Sequence, residues 1–153
     1  MNLQNRGNLK NRGHARRKDR RGASLVEFAI LVPILVMLVL GVIDVGQLIH
    51  VGQTVNNASR EGARVAVKQQ TTNPAVVEAE VRDYLAGVFP GDPTDAAVKV
   101  SVSGNGGTAL SDVEPGEPVT VRVAMDFDTV RWIRGLSLTA GRTITTETVM
   151  RKE

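Results

Sequence analysis

Residues 23–43, read as ASLVEFAILVPILVMLVLGVI, hold one charged side chain, Glu27, in an otherwise apolar run. About twenty residues at 1.5 Å rise cover the roughly 30 Å hydrocarbon core of a bilayer. The run therefore reads as a transmembrane helix. A secretory signal is a poor alternative, because its apolar core is about 7–15 residues long and ends at a small-x-small cleavage site. Here the run exits into Asp44-Val45-Gly46-Gln47. Pro33 lies inside the span, where the missing amide predicts a bend that membrane helices tolerate.

Charge around the run fixes its orientation. Arg6, Lys10, Arg12, Arg16, Arg17, Lys18, Arg20 and Arg21 precede it, and the first strongly basic residue after it is Arg60. By the positive-inside rule the arm is cytoplasmic and the chain beyond about Asp44 is exported. The net charge of +3 conceals this split: residues 1–22 carry eight Lys/Arg and one Asp, whereas the rest of the chain is net acidic. A basic arm abutting a span is accounted for by an anionic membrane surface, so no nucleic-acid partner is expected. With no cysteine, disulfides and thiol chemistry are excluded, and two histidines leave little for a metal.

The arm, residues 1–22, has no apolar periodicity and is expected to be disordered in isolation. Nothing between Ser24 and Gln70 stops a helix outright, which predicts one continuous helix of about 45 residues. Within it Leu48, Val51, Val55, Ala58, Gly62 and Val65 recur at spacings of three and four, forming a stripe. This stripe serves either as the face packed on the protein's own domain or as a subunit interface; its small members permit close helix approach. Arg60, Arg64 and Lys68 form a basic row on another, solvated face.

Asn73-Pro74 is a cap followed by a first-turn proline, predicting a helix over 74–86 with Val77, Val81, Tyr84 and Leu85 inward, Glu78 and Arg82 paired, and Gly87 as its end. Phe89-Pro90-Gly91-Asp92-Pro93 is a turn cluster. Val98, Val100 and Val102 alternate as a strand ended by Gly104-Asn105-Gly106-Gly107. A clearer strand places Val119, Val121, Val123, Met125 and Phe127 on one face. Asp128 or Thr129 is expected to cap a short helical turn carrying Val130, Trp132 and Ile133, closed by Gly135. Residues 141–151 form a last strand with Ile144, Thr146, Thr148 and Met150 on one face. The predicted fold class is α+β: a basic arm (1–22), a transmembrane helix (23–43), its continuation (44–70) and a small domain (71–153) in which a second helix and the long helix cover a three-stranded antiparallel sheet.

Glu27 needs a reason to stand in an apolar segment. Ser24-x-x-Glu27 fits a capping box at a helix start. Alternatively, cleavage after Gly22 frees an amine on Ala23, and the Glu27 carboxylate of one subunit meets the amine of a neighbour, setting register between adjacent helices.

The stretches RRGASLVEFAILVPILVMLVLGVIDVGQ and NNASREGARVAV, with the ending LTAGRTITTETVMRKE, resemble a TadE-like protein, a pilin-related component of the tight-adherence pilus assembly system. That resemblance implies a bacterial, non-enzymatic prepilin-type protein in the cytoplasmic membrane. Its implied partners are a prepilin peptidase cutting between Gly22 and Ala23, other pilin-like subunits, and the inner-membrane assembly platform. Glu27 becomes the fifth residue of the processed chain. Phe28 departs from the tyrosine usual in related pilins.

Other features fall to plainer readings. Gly104-Asn105-Gly106-Gly107-Thr108-Ala109 matches G-x-G-x-x-A after a strand, yet Pro115 and Pro118 deny it a following helix, so no cofactor is expected. Asn57-Ala58-Ser59 lies on a helix and is a coincidental glycosylation match. Asp92, Asp95, Asp112 and Glu114 lack the spacing of a calcium loop. His14 and His50 have neither a nucleophile nor a metal-ligand pattern nearby, so no enzyme site is expected. The expected function is a minor pilin-like subunit or assembly protein. The rival is an uncleaved membrane-tethered binding or sensor domain.

Overall fold

Valine at every second position builds the sheet. In the computed structural model, which describes residues 15–89, 97–132 and 139–153 but not the side chains of 15–21, these valines fall on β1 (Val98–Gly104) and β2 (Pro118–Asp126). The third strand is β3 (Thr143–Arg151). The order is β1-β2-β3 and both pairings are antiparallel. The register puts inward residues in rows across all three strands: Val98, Met125 and Ile144; Val100, Val123 and Thr146; Val102, Val121 and Thr148. Branched side chains stacked in such rows suit a pleated sheet with one buried face. The outward rows are mostly polar, and Arg122 pairs with Glu147 across β2 and β3 at 3.1 Å.

Two α-helices are described. The first, α1, runs from Ala15 to Ala66 and contains Pro33. It begins eight residues before the expected start at Ala23, so the end of the basic arm is helical. It stops four residues before Gln70. The reason is tertiary: Lys152 Nζ donates to the carbonyl of Ala66, and the amide of Glu153 donates to Val67 O at 2.9 Å. Carbonyls that another turn of helix would have used are taken by Lys152 and Glu153.

The second helix, α2 (Pro74–Val88), starts as its sequence dictates, with Asn73 accepting from the Ala75 amide at 2.9 Å and Pro74 in the first turn. Val77, Val81 and Leu85 form its buried face. Gly87 does not end it. The helix continues to Val88 and is capped by extended Phe89, whose amide reaches Leu85 O. Phe89 precedes a proline, and that position disfavours helical geometry more firmly than a glycine does. The rest of the expected turn cluster lies outside the described residues.

A second local correction follows β2. The cap of the short turn is Asp126, not Asp128 or Thr129: its carboxylate accepts from the Asp128 amide at 3.0 Å, opening a 3-10 turn over Phe127–Thr129. Phe127 is buried in the core, whereas Trp132 is 74% exposed. Ile133 and Gly135 lie outside the described residues.

The chain divides into two units, Met1–Val42 and Ile43–Glu153. In the second unit, α2 and the part of α1 from Ile43 to Ala66 cover the inner sheet face. Val51, Val55, Val77, Val81, Leu85, Val98, Val119, Val121, Val123, Met125 and Phe127 are wholly buried in one core. Each such aliphatic side chain contributes about 1.5–3 kcal/mol relative to exposure.

Candidate functional site

In the unit Met1–Val42, every described side chain from Gly22 to Val39 is exposed. A helical window there has a mean hydropathy of 2.8 with 0% of it buried. A helix whose described residues are apolar around most of its circumference and bare of protein fits a membrane anchor. Gly22, Ala23, Glu27, Phe28 and Pro33 all stand on this bare segment. The capping-box account of Ser24 and Glu27 does not hold for the intact chain. Because α1 starts at Ala15, Ser24 is well inside the helix, and the amides that a cap serves belong to the turn beginning at Ala15.

Beyond the apolar run the helix changes character. The stripe Leu48, Val51, Val55, Ala58, Gly62 and Val65 faces the core of the second unit: Val51, Val55 and Ala58 are completely buried and Leu48 packs at the margin. At Gly62 the two helices pack tightly, since a β-carbon there would stand 2.5 Å from Val81 Cγ2. On the flank facing β3 the contacts are polar. Ser59 Oγ and Thr148 Oγ1 share a hydrogen bond of 2.7 Å, and Thr146 donates its hydroxyl to Val55 O at 3.4 Å. The basic row Arg60, Arg64 and Lys68 is exposed, with Arg64 paired to Glu61. The bond from Arg64 is the main cause holding the Glu61 carboxyl below its ordinary value of 4.5.

The sequence reading began this stripe at Leu48 and so missed its first turn. Asp44 and Gln47 are also buried, at 1% and 8% exposure. Thr139 donates its hydroxyl to Asp44 Oδ2 at 2.8 Å. Gln47 uses both ends of its amide: Nε2 donates to Val130 O at 2.9 Å, and Oε1 accepts from the Trp132 amide at 3.1 Å. In the same loop Asp128 pairs with Arg131 at 3.1 Å and accepts from the Gly141 amide at 2.9 Å. Asp44 and Gln47 continue the spacing of the stripe with polar residues, because loop backbone and hydroxyl groups cover them. The periodicity was the available signal, and apolar composition alone did not reveal it.

The remaining candidates do not assemble. After β1 the glycine-rich run folds into two 3-10 turns, Asn105–Gly107 and Leu110–Asp112, so no α-helix N-terminus faces it to hold a phosphate. It borders an open cleft of about 290 Å³ in which Arg122 is already committed to Glu147. Asp112 and Glu114 are exposed, and Asp92 and Asp95 lie outside the described residues. Among the described residues no three His, Asp or Glu side chains gather as a metal would require. His50 is exposed on α1, and His14 lies outside the described residues.

Comparison with protein families matches residues 22–64 to the model of the TadE-like protein family. The matched stretch is α1 from the bare apolar segment through most of the buried stripe; α2 and the sheet lie beyond it. No curated protein and no solved structure matches the chain.

Proposed function

We propose, from the match of residues 22–64 to the TadE-like protein family, that this chain is a membrane-anchored, minor pilin-like subunit of a Tad pilus assembly system. The family implies a generally non-enzymatic role in Tad pilus assembly and fits the bacterial envelope. The observation that carries the finer reading is the bare helix from Gly22 to Val39, apolar around most of its circumference. Such a surface is stable in lipid, and equally in a bundle of similar helices, so one segment serves both an anchored precursor and an assembled subunit.

In this reading the basic arm stays in the cytoplasm and the unit Ile43–Glu153 projects on the other side. A prepilin peptidase cuts between Gly22 and Ala23, both of which stand on an exposed part of α1. The new amine then pairs with Glu27 of a neighbour. Other pilin-like subunits and the inner-membrane platform are the partners. N-terminal sequencing of protein extracted from membranes containing the peptidase tests processing directly. The expected first residue is Ala23. A chain that still begins at Met1 under those conditions overturns processing and favours an uncleaved, membrane-tethered binding or sensor domain.

A further inference from the structure

The chain contains a single tryptophan, and the fold holds it outward. Trp132 is 74% exposed, yet its backbone is fixed, since its amide donates to Gln47 Oε1 and the neighbouring Val130 carbonyl accepts from Gln47 Nε2. The next residue back, Arg131, is held by Asp128. An indole carries a large apolar surface and one N–H donor, a combination suited to a boundary between apolar and wet surroundings.

The turn of α1 that grips Trp132 has the polarity of a soluble helix reversed. Asp44 and Gln47 face the protein and are buried, whereas Ile43, Val45 and Ile49 face outward at 42%, 42% and 57% exposure. In water the opposite arrangement is favoured. Gln47 is four residues past Ile43, about 6 Å along a helix axis. The headgroup zone of one leaflet is about 5–7 Å thick, the difference between a roughly 30 Å core and a 40–45 Å bilayer shared between two faces.

We propose that Trp132, with the outward face of α1 at Ile43, Val45 and Ile49, is a lipid-contact site that seats the folded unit in the headgroup zone of the leaflet where the apolar run ends. The occupant is phospholipid. Gln47 is the positioning residue: its amide sets the height of the indole against the helix. Asp44 is kept out of the boundary by burial against Thr139. The proposal rests on the membrane-anchor reading and deepens it by fixing how the folded unit meets the surface.

The test uses the full-length chain in phosphatidylcholine–phosphatidylglycerol nanodiscs, with anchoring read separately by co-elution with the disc. With discs built on a tryptophan-free scaffold protein, the emission reports this site alone, because Trp132 is the sole tryptophan of the chain. The expected result is a blue-shifted emission relative to the urea-unfolded chain, quenched more strongly by a spin label near the lipid headgroup than by one deep in the acyl chain. Gln47→Ala should erase that contrast between shallow and deep labels while far-UV circular dichroism stays unchanged. If the chain co-elutes but lipid-borne labels do not quench it, the proposal is overturned and the anchor stands. Sensitivity to aqueous iodide would then place the indole in water, and insensitivity to both would place it against a second copy. A chain that fails to co-elute overturns the anchor and this site together.

Discussion

Lys152 Nζ lies 3.3 Å from the carbonyl oxygen of Ala66, the last residue of α1, and 2.7 Å from that of Thr71. The side chain is buried, at 7% exposure for the residue. A cation at a helix C-terminus meets the negative end of the helix dipole and satisfies carbonyls that have no amide partner within the helix. The backbone on either side is also tied down: Lys152 N donates to Glu117 O, Gly116 N donates to Lys152 O, and Glu153 N donates to Val67 O.

Lys152→Met keeps the length of the side chain and removes its charge and donors. Hydrogen bonds to a charged group contribute about 1.5–3 kcal/mol, and the carbonyls left behind remain partly buried. The expected loss of stability for the unit Ile43–Glu153 is therefore about 1–3 kcal/mol. Urea denaturation of the detergent-solubilised chain, followed by circular dichroism, measures it. An unchanged midpoint would show that the surrounding backbone bonds hold the end of α1 without the ammonium.

Gly62→Ala sets two effects against each other. Alanine improves helix propensity by about 1 kcal/mol. Its β-carbon, however, would stand 2.5 Å from Val81 Cγ2 and 3.5 Å from Val121 Cγ1. Val81 is a β-branched residue buried in the middle of α2, with few rotamers open to it. Overpacking of this kind costs about 1–3 kcal/mol, so the variant should be net destabilised. Val81→Ala removes the obstructing methyl, and the double variant should be less destabilised than the two single losses added together. Additive losses in a thermal-melting cycle would contradict a direct clash.

The exposed pair Glu61 and Arg64 gives a pH dependence of known sign. Its hydrogen bond lowers the Glu61 carboxyl below its ordinary value of 4.5 and raises the Arg64 guanidinium further above its own ordinary range. A lowered carboxyl contributes stability that is present above the unfolded glutamate range and lost as pH falls through the folded value. Arg64 stays protonated throughout that window. Both groups face solvent, so the contribution is small. Glu61→Gln should flatten a minor part of the acid-side fall in melting temperature and leave the neutral-pH value nearly unchanged. A large loss at neutral pH would contradict this account.

Glu27→Ala removes the one charge from the apolar run. Inserting a carboxylate into lipid is unfavourable, so the variant should enter membranes at least as well as the parent. Incorporation into pili should fall if the carboxylate sets register against a neighbour's Ala23 amine. Comparing membrane fractions with sheared pili separates the two steps, and undiminished incorporation would remove the register role.

Local chemistry made much of the architecture legible. Apolar length marked the bare helical segment of α1, Asn73-Pro74 marked the start of α2, and alternating valines marked β1 and β2, because each signal depends on residues adjacent along the chain. The inward face of β3 was also readable from its period of two. Gly87 misled for the same local reason: a glycine weakens a helix, but the residue before a proline ends one.

What only the tertiary structure decided are the contacts between residues far apart in sequence. Ala66 ends α1 because Lys152 and Glu153 arrive there, Asp44 and Gln47 are buried because the loop carrying Val130, Trp132 and Thr139 covers them, and the backbone of Trp132 is tied to α1 by that same glutamine. Hydrophobic period and propensity report how one segment prefers to fold and which side it hides. They carry no record of which distant donor reaches a given carbonyl, and that pairing set the boundary of the long helix and tied the loop at Trp132 to it.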